Sequence, residues 1–208
     1  MLLQEEIESV LAARHGAAIQ EKIKKAVVGI MGLGGLGSAV AVALVRIGVG
    51  KLLLADYDVV ELSNLNRQYY FVDQIGFPKT RALRDTLLRI NPYACLEIVE
   101  RRLTEEVIPV LFRGVDVLVE CFDDPAMKPA ALRAALTGLA GVGYVGASGM
   151  AGFGEGNRIV TRKLSPRVYL VGDEESEVGP DQGLMAPRVG IAAHHQANQA
   201  LRLLLGVD

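Results

Sequence analysis

The chain has 208 residues, 50% of them hydrophobic and 22% charged, with a formal net charge of −2. That fits one domain with a sizeable core and offers no charge for nucleic acid or a membrane surface. No apolar run approaches the ~20 residues of a membrane span, residues 1–25 lack a secretory pattern, and two cysteines make a disulfide framework or zinc cluster improbable, so a cytoplasmic protein is expected.

Leu3, Ile7, Val10 and Leu11 recur at helical spacing, and Ile19 and Ile23 continue the apolar face past Gly16. This predicts an N-terminal helix or helix pair over residues 1–25. A first strand is expected over residues 26–31, followed by Gly32-Leu33-Gly34-Gly35-Leu36-Gly37 and a helix over residues 38–47. Residues 51–55 read as a second strand, ending at Asp56, 19 residues past the last glycine. Gly32, Gly34, Gly35 and Gly37 let the backbone turn tightly and approach a phosphate, and the helix N-terminus offers unpaired N–H groups to the anion. Asp56 then stands where ribose hydroxyls are held.

A long polar loop is expected over residues 57–78, and a loop of that length in a compact domain is usually functional. It contains Ser63-Asn64-Leu65-Asn66-Arg67-Gln68, and Lys79 opens a helix over residues 79–90 that Asn91-Pro92 stops. A third strand (96–100), a short helix (105–113), a fourth strand (115–121), a helix (125–139) and a fifth strand (142–147) follow. The alternation predicts a doubly wound α/β domain with a mainly parallel sheet. Residues 158–162 and 168–171 read as an antiparallel pair, residues 172–187 as a mobile crossover loop, and residues 189–205 as a closing helix.

Ligands of open α/β sheets bind at the carboxyl ends of the strands. There the loop residues meet Cys121-Phe122-Asp123-Asp124. An arginine, a lysine and an amide suit a triphosphate, stabilising charge on the phosphoryl centre and departing pyrophosphate. An acid suits its magnesium. Either aspartate also fits as an N-cap of the helix after Pro125.

Together, GLGGLG at 32–37, Asp56, SNLNRQ at 63–68, Lys79 and CFDD at 121–124 resemble the ThiF/MoeB/HesA branch of E1-like activating enzymes. The match spans residues 25–206, and the stretch TRKLSPRVYLVGD leading to GLMAP looks most like the compact second family of ThiF proteins. The resemblance implies a Rossmann-like adenylyltransferase domain over residues 26–208, preceded by the helical segment 1–25. It implies ATP and Mg²⁺ as cofactors and a small ubiquitin-like sulfur carrier (ThiS-like, in thiamine-thiazole synthesis) as partner. The carrier's C-terminal Gly-Gly tail would be adenylated. Carried over by residue, Asp56 holds the ribose, Asn64, Arg67 and Lys79 the phosphates, and Gln68 supports them. Asp123 aligns with the magnesium acid, and Asp where Asn is common leaves Asp124 sharing the metal. The family also implies a homodimer in which an N-terminal arginine, best matched by Arg14, enters the neighbour's site.

Two departures matter. The Cys-x-x-Cys pairs that bind zinc in many relatives are missing, so no zinc is expected. Residues 172–187 hold no cysteine, so no covalent link to the carrier is expected, and Cys95 and Cys121 are both placed in apolar strands. Three rivals stay open. A nicotinamide-dependent oxidoreductase shares the glycine turn but explains neither Arg67 nor Lys79. A non-catalytic module would not need the charged set. Other substrates are a molybdopterin-type carrier or a modified tRNA, the latter disfavoured by the net charge.

Overall fold

The structure, a computed structural model, describes residues 3–207. Its sheet comprises β1 (Val27–Met31), β2 (Lys51–Asp56), β3 (Cys95–Glu100), β4 (Val117–Glu120), β5 (Gly143–Ala147), β6 (Val160–Ser165) and β7 (Val168–Gly172), in the order β3-β2-β1-β4-β5-β7-β6. All neighbours pair in parallel except β6, which runs antiparallel to β7 at the outer edge. The helices of the described residues are α1 (Gln4–His15), α2 (Ala17–Lys25), α3 (Gly35–Arg46), α4 (Lys79–Ile90), α5 (Ile108–Leu111), α6 (Met127–Gly138) and α7 (Ala186–Leu205).

Successive strand residues face opposite sides of a sheet. In the central strands both sides are apolar, as a parallel sheet covered by helices requires. Val28, Ile30, Leu52, Leu54, Val117 and Val119 join the core under α3, α4 and α7, while Leu53, Ala55 and Leu118 join Phe112 and Ala131 on the other face. The chain winds outward from β1 to β3 and then returns to place β4 beside β1. The crevice between the carboxyl ends of β1 and β4 is therefore the topological switch point.

Several local expectations need correction. The helix after the first strand, α3, begins at Gly35, inside the glycine run, rather than at Ser38. Residues 57–78 contain two 3₁₀ turns, Leu62–Asn64 and Val72–Gln74, and Val59 bridges Pro78 at the loop's base. The short helix shrinks to Ile108–Leu111, and β4 ends at Glu120, one residue before Cys121. Cys95 is exposed at the start of β3 rather than in an apolar setting. The apolar repeat in α1 buries no side chain in the chain itself.

The α1–α2 pair sits at the amino edge of the sheet. Gln20 Nε2 donates to the Ile47 carbonyl at 3.2 Å, and the Gly50 N–H donates to Ile23. Among the described residues no helix is long and apolar enough to cross a membrane.

Candidate active site

β1 ends in a turn that only glycine tolerates at two points. Gly32 has φ +86°, and a Cβ on Gly37 would lie 1.9 Å from the Gly32 carbonyl oxygen. α3 starts here, and no side chain caps it. Its first N–H groups therefore face the crevice without helical acceptors. Asp56, the last residue of β2, fastens the turn. Its Oδ2 accepts the Leu33 N–H at 2.6 Å, and its Oδ1 accepts the Asp58 N–H at 2.8 Å. Burial pushes this carboxyl upward, while those N–H groups and Lys79 pull it back. Tyr70 donates its hydroxyl to the Leu33 carbonyl at 2.7 Å, closing the turn from the other side.

The long loop and the start of α4 deliver the cations. Lys79 is only 6% exposed, and its Nζ pairs with Asp58 Oδ2 at 2.9 Å. Arg67 holds its guanidinium with Nη1 on Asn66 Oδ1 at 2.8 Å and on the Ser63 carbonyl at 3.3 Å. Asn64 is buried, and its Oδ1 accepts the Glu61 N–H at 3.0 Å, so it shapes the loop. Beyond β3, the Arg102 guanidinium lies 5.5 Å from the centre of the Tyr57 ring.

At the end of β4 the acids divide the work. Glu120 is 2% exposed, and its Oε1 accepts the Phe122 N–H at 2.7 Å and Lys128 Nζ at 2.9 Å. Burial pushes its carboxyl above the ordinary range, against the pull of Lys128. Asp124 caps the next turn, its Oδ1 accepting the Ala126 N–H at 2.9 Å. Asp123 is exposed and makes no hydrogen bond or ion pair with the described residues. Cys121 is buried with its thiol directed at Gln196 Oε1, and burial, then the Glu120 charge, pushes its pKa well up.

These elements surround a cavity of about 560 Å³. Gly32, Gly34, Gly35, Asp56, Arg67, Gln68, Lys79, Asp123 and Asp124 all line it. Three expected site residues do not. Gly37 packs on the turn, Asn64 lies behind the loop, and Arg14 is exposed on α1 at the amino edge of the sheet. Sequence reasoning missed Asp58, Tyr70, Arg102, Glu120 and Lys128. The Asp56-Tyr57-Asp58 alternation marks Asp58 as a same-side neighbour of Asp56; nothing local marks the others.

The donor set suits magnesium rather than an all-protein cage. No group of three His, Cys, Asp or Glu side chains forms among the described residues. Mg²⁺ commonly uses one or two carboxylates plus substrate phosphates and water, and the free Asp123 carboxylate beside Asp124 provides that number.

The crossover segment after β7 closes one wall, with Ser176, Glu177 and Val178 on the cavity. It is anchored by Asp173, whose Oδ2 accepts Arg188 Nη2 and whose Oδ1 accepts the N–H groups of Glu175 and Ser176. Burial alone would raise the Asp173 carboxyl. These donors, with the Ser176 hydroxyl, outweigh it and hold the pKa at about 2, from an ordinary 3.8.

The ThiF family profile matches residues 8–208. The molybdopterin-synthase adenylyltransferase of Salmonella typhimurium is 32% identical over 189 residues, covering 89% of this chain and 75% of that protein. The sulfur carrier protein ThiS adenylyltransferase of Escherichia coli is 34% identical over 194 residues, covering 91% and 76%. Among solved structures, E. coli tRNA N6-threonylcarbamoyladenosine dehydratase, TcdA, in complex with ATP superposes with a TM-score of 0.88 at 20% identity, over 99% of this chain and 97% of that one; at that identity it speaks for the fold alone. The chain therefore belongs to the ThiF family, and it is a nucleotidyltransferase of the adenylyltransferase kind.

Proposed function

We propose that the protein adenylates the C-terminal glycine carboxylate of a small ubiquitin-like sulfur carrier, with a ThiS-like carrier of thiamine-thiazole synthesis as substrate. One observation supports this above the rest: a single crevice gathers an uncapped glycine turn, the buried acid Asp56, the cations Arg67 and Lys79 and the free acid Asp123. In the reaction a carboxylate oxygen of the carrier attacks the α-phosphorus of ATP. The bond to the bridging oxygen breaks, and pyrophosphate leaves with that electron pair. The uncapped N–H groups of α3 receive phosphate oxygens. Each Asp56 oxygen keeps a lone pair beyond its backbone bond, which serves the ribose hydroxyls. Arg67 and Lys79 face the charge that grows on the phosphates, and Gln68 and Asn64 hold the loop that carries Arg67. Asp123 and Asp124 would hold Mg²⁺, which neutralises phosphate oxygens when bound.

The working unit is a cytoplasmic homodimer, with residues 1–25 as a helical segment ahead of the adenylyltransferase domain 26–208. Support comes from α1, which buries none of its side chains within its own chain and leaves Val10 61% exposed. Arg14, exposed on that helix and outside the lining of its own crevice, acts on the neighbour's phosphates. Mixing inactive Arg14→Ala with inactive Asp123→Ala subunits restores activity if so; heterodimers without activity remove Arg14 from the site. The acyl-adenylate forms without a cysteine intermediate and without structural zinc; Cys121 is buried with its thiol directed at Gln196 Oε1, and burial suppresses its ionisation.

ATP–pyrophosphate exchange measured with purified ThiS-type and molybdopterin-type carriers tests the reading. Exchange with the ThiS-type carrier supports it. Exchange confined to the molybdopterin-type carrier replaces the thiamine assignment, and none with any carrier overturns the function.

A further inference from the structure

The ends of β4 and β5 part company at the crevice. Their ladder ends at Val119↔Val145, yet β4 stays paired with β1 as far as Glu120, and β5 with β7 as far as Ala147. Two side chains span the gap, one from each face of the sheet. From α7, Gln196, which is fully buried, donates Nε2 to the Glu120 carbonyl at 2.8 Å and to the Val145 carbonyl at 3.2 Å. From α6, Lys128 donates Nζ to Glu120 Oε1 at 2.9 Å and to the Ala147 carbonyl at 2.9 Å. Glu120 Oε1 also takes the Phe122 N–H. The chain from Glu120 to Lys128 is thus closed at its base by an ion pair in which Glu120 is buried and Lys128 is a quarter exposed to the crevice, and Asp123 and Asp124 sit at the top of that closed turn.

Splayed strand ends expose backbone carbonyls that a continued ladder would have satisfied, and buried carbonyls need donors. Lys128 and Gln196 meet that need. Only the Lys128 brace includes the turn bearing the acids. A charge pair with one buried partner is poor evidence of stability, because desolvation of that partner offsets the attraction. Its retention at this spot is better explained by geometry.

We propose that Glu120 and Lys128 are positioning residues for the adenylation site: their ion pair braces the splayed ends of β4 and β5 and fixes the turn that presents Asp123 to the metal and phosphates. The inference rests on the proposed function, because it takes Asp123 as the metal-facing acid. Outer partners that orient metal ligands commonly change affinity by about 10–100-fold when removed.

Lys128→Met alone leaves Glu120 buried and unpaired and invites unfolding, so the test uses the double variant Glu120→Gln, Lys128→Met, with Lys128→Arg as the conservative control. Thermal unfolding reports the fold, and Mn²⁺ binding in the presence of ATP, followed by electron paramagnetic resonance, reports the turn. The double variant is expected to stay folded and to bind Mn²⁺ about 10-fold or more weakly, with kcat for pyrophosphate exchange reduced and KM for the carrier unchanged. Lys128→Arg should recover most of the Mn²⁺ affinity. A folded double variant that binds Mn²⁺ as the parent does overturns the brace while leaving the function intact. A parent that binds no Mn²⁺ with ATP overturns the metal reading and the brace with it.

Discussion

The two strand ends that flank the crevice solve the same problem differently. At β2 one residue does both jobs: Asp56 is buried, grips the glycine turn through Leu33, and lines the crevice with what capacity remains. At β4 the jobs are split. Glu120 is buried and structural, and Asp123, three residues on, is exposed and unbonded. A residue that holds the fold and the ligand together gives mixed effects on substitution, whereas a divided pair gives separable ones.

The sharpest challenge to that division comes from the β2 side. Arg67→Ala should keep the fold and lose about 10³–10⁵ of carrier-dependent pyrophosphate exchange, as removal of a transition-state arginine does in other phosphoryl transfers. Full exchange in that variant would place the chemistry elsewhere in the crevice. Next in size, Asp123→Asn should lose roughly 10²-fold or more, several kcal/mol of metal-assisted charge stabilisation, with no change in melting temperature. Calorimetry showing a destabilised Asp123→Asn protein would erase the contrast with Asp56.

Asp56→Ala should do both kinds of harm. The Leu33 and Asp58 N–H groups lose their acceptor, which costs about 1–3 kcal/mol of stability, and ATP binding weakens in the same protein. Urea unfolding and nucleotide titration on one sample read both effects; an unchanged midpoint would show that the backbone bonds are dispensable.

The smallest expected effect concerns pH. Asp173 has a pKa of about 2 in the folded chain against an ordinary 3.8. Because the folded value is depressed, its stabilisation is complete above about pH 4 and is lost as pH falls toward 2, amounting to about 2 kcal/mol. Asp56 runs the other way, since its raised pKa makes the folded state hold the proton more tightly. Acid unfolding of Asp173→Asn should therefore be shallower than that of the parent between pH 4 and 2, and parallel curves would refute the assignment.

The alternation of strands and helices, and with it the crevice, was legible because each element carries its own apolar period. So was the convergence on the crevice of residues from contiguous motifs, such as Arg67, Gln68 and Asp123. The start of α3 at Gly35 was not, because glycine's low helix propensity points away from a helix there and tertiary packing overrides it. Glu120 and Lys128 were missed for a different reason. Their pairing depends on how β4 and β5 diverge and on the Ala147 carbonyl at the end of β5, and no local spacing encodes that. The exposure of Cys95 follows from β3 being an edge strand, a property of the assembled sheet order.

The two thiols give the native chain a built-in asymmetry as a chemical reporter. Cys95 is exposed on the β3 edge, far from α7 in the sheet order, while Cys121 is buried against Gln196 with its ionisation suppressed. A maleimide dye would mark one site without engineering. The delay before a second dye attaches would then time the rare excursions that bare the Cys121 thiol, a stopwatch for breathing at the floor of the crevice.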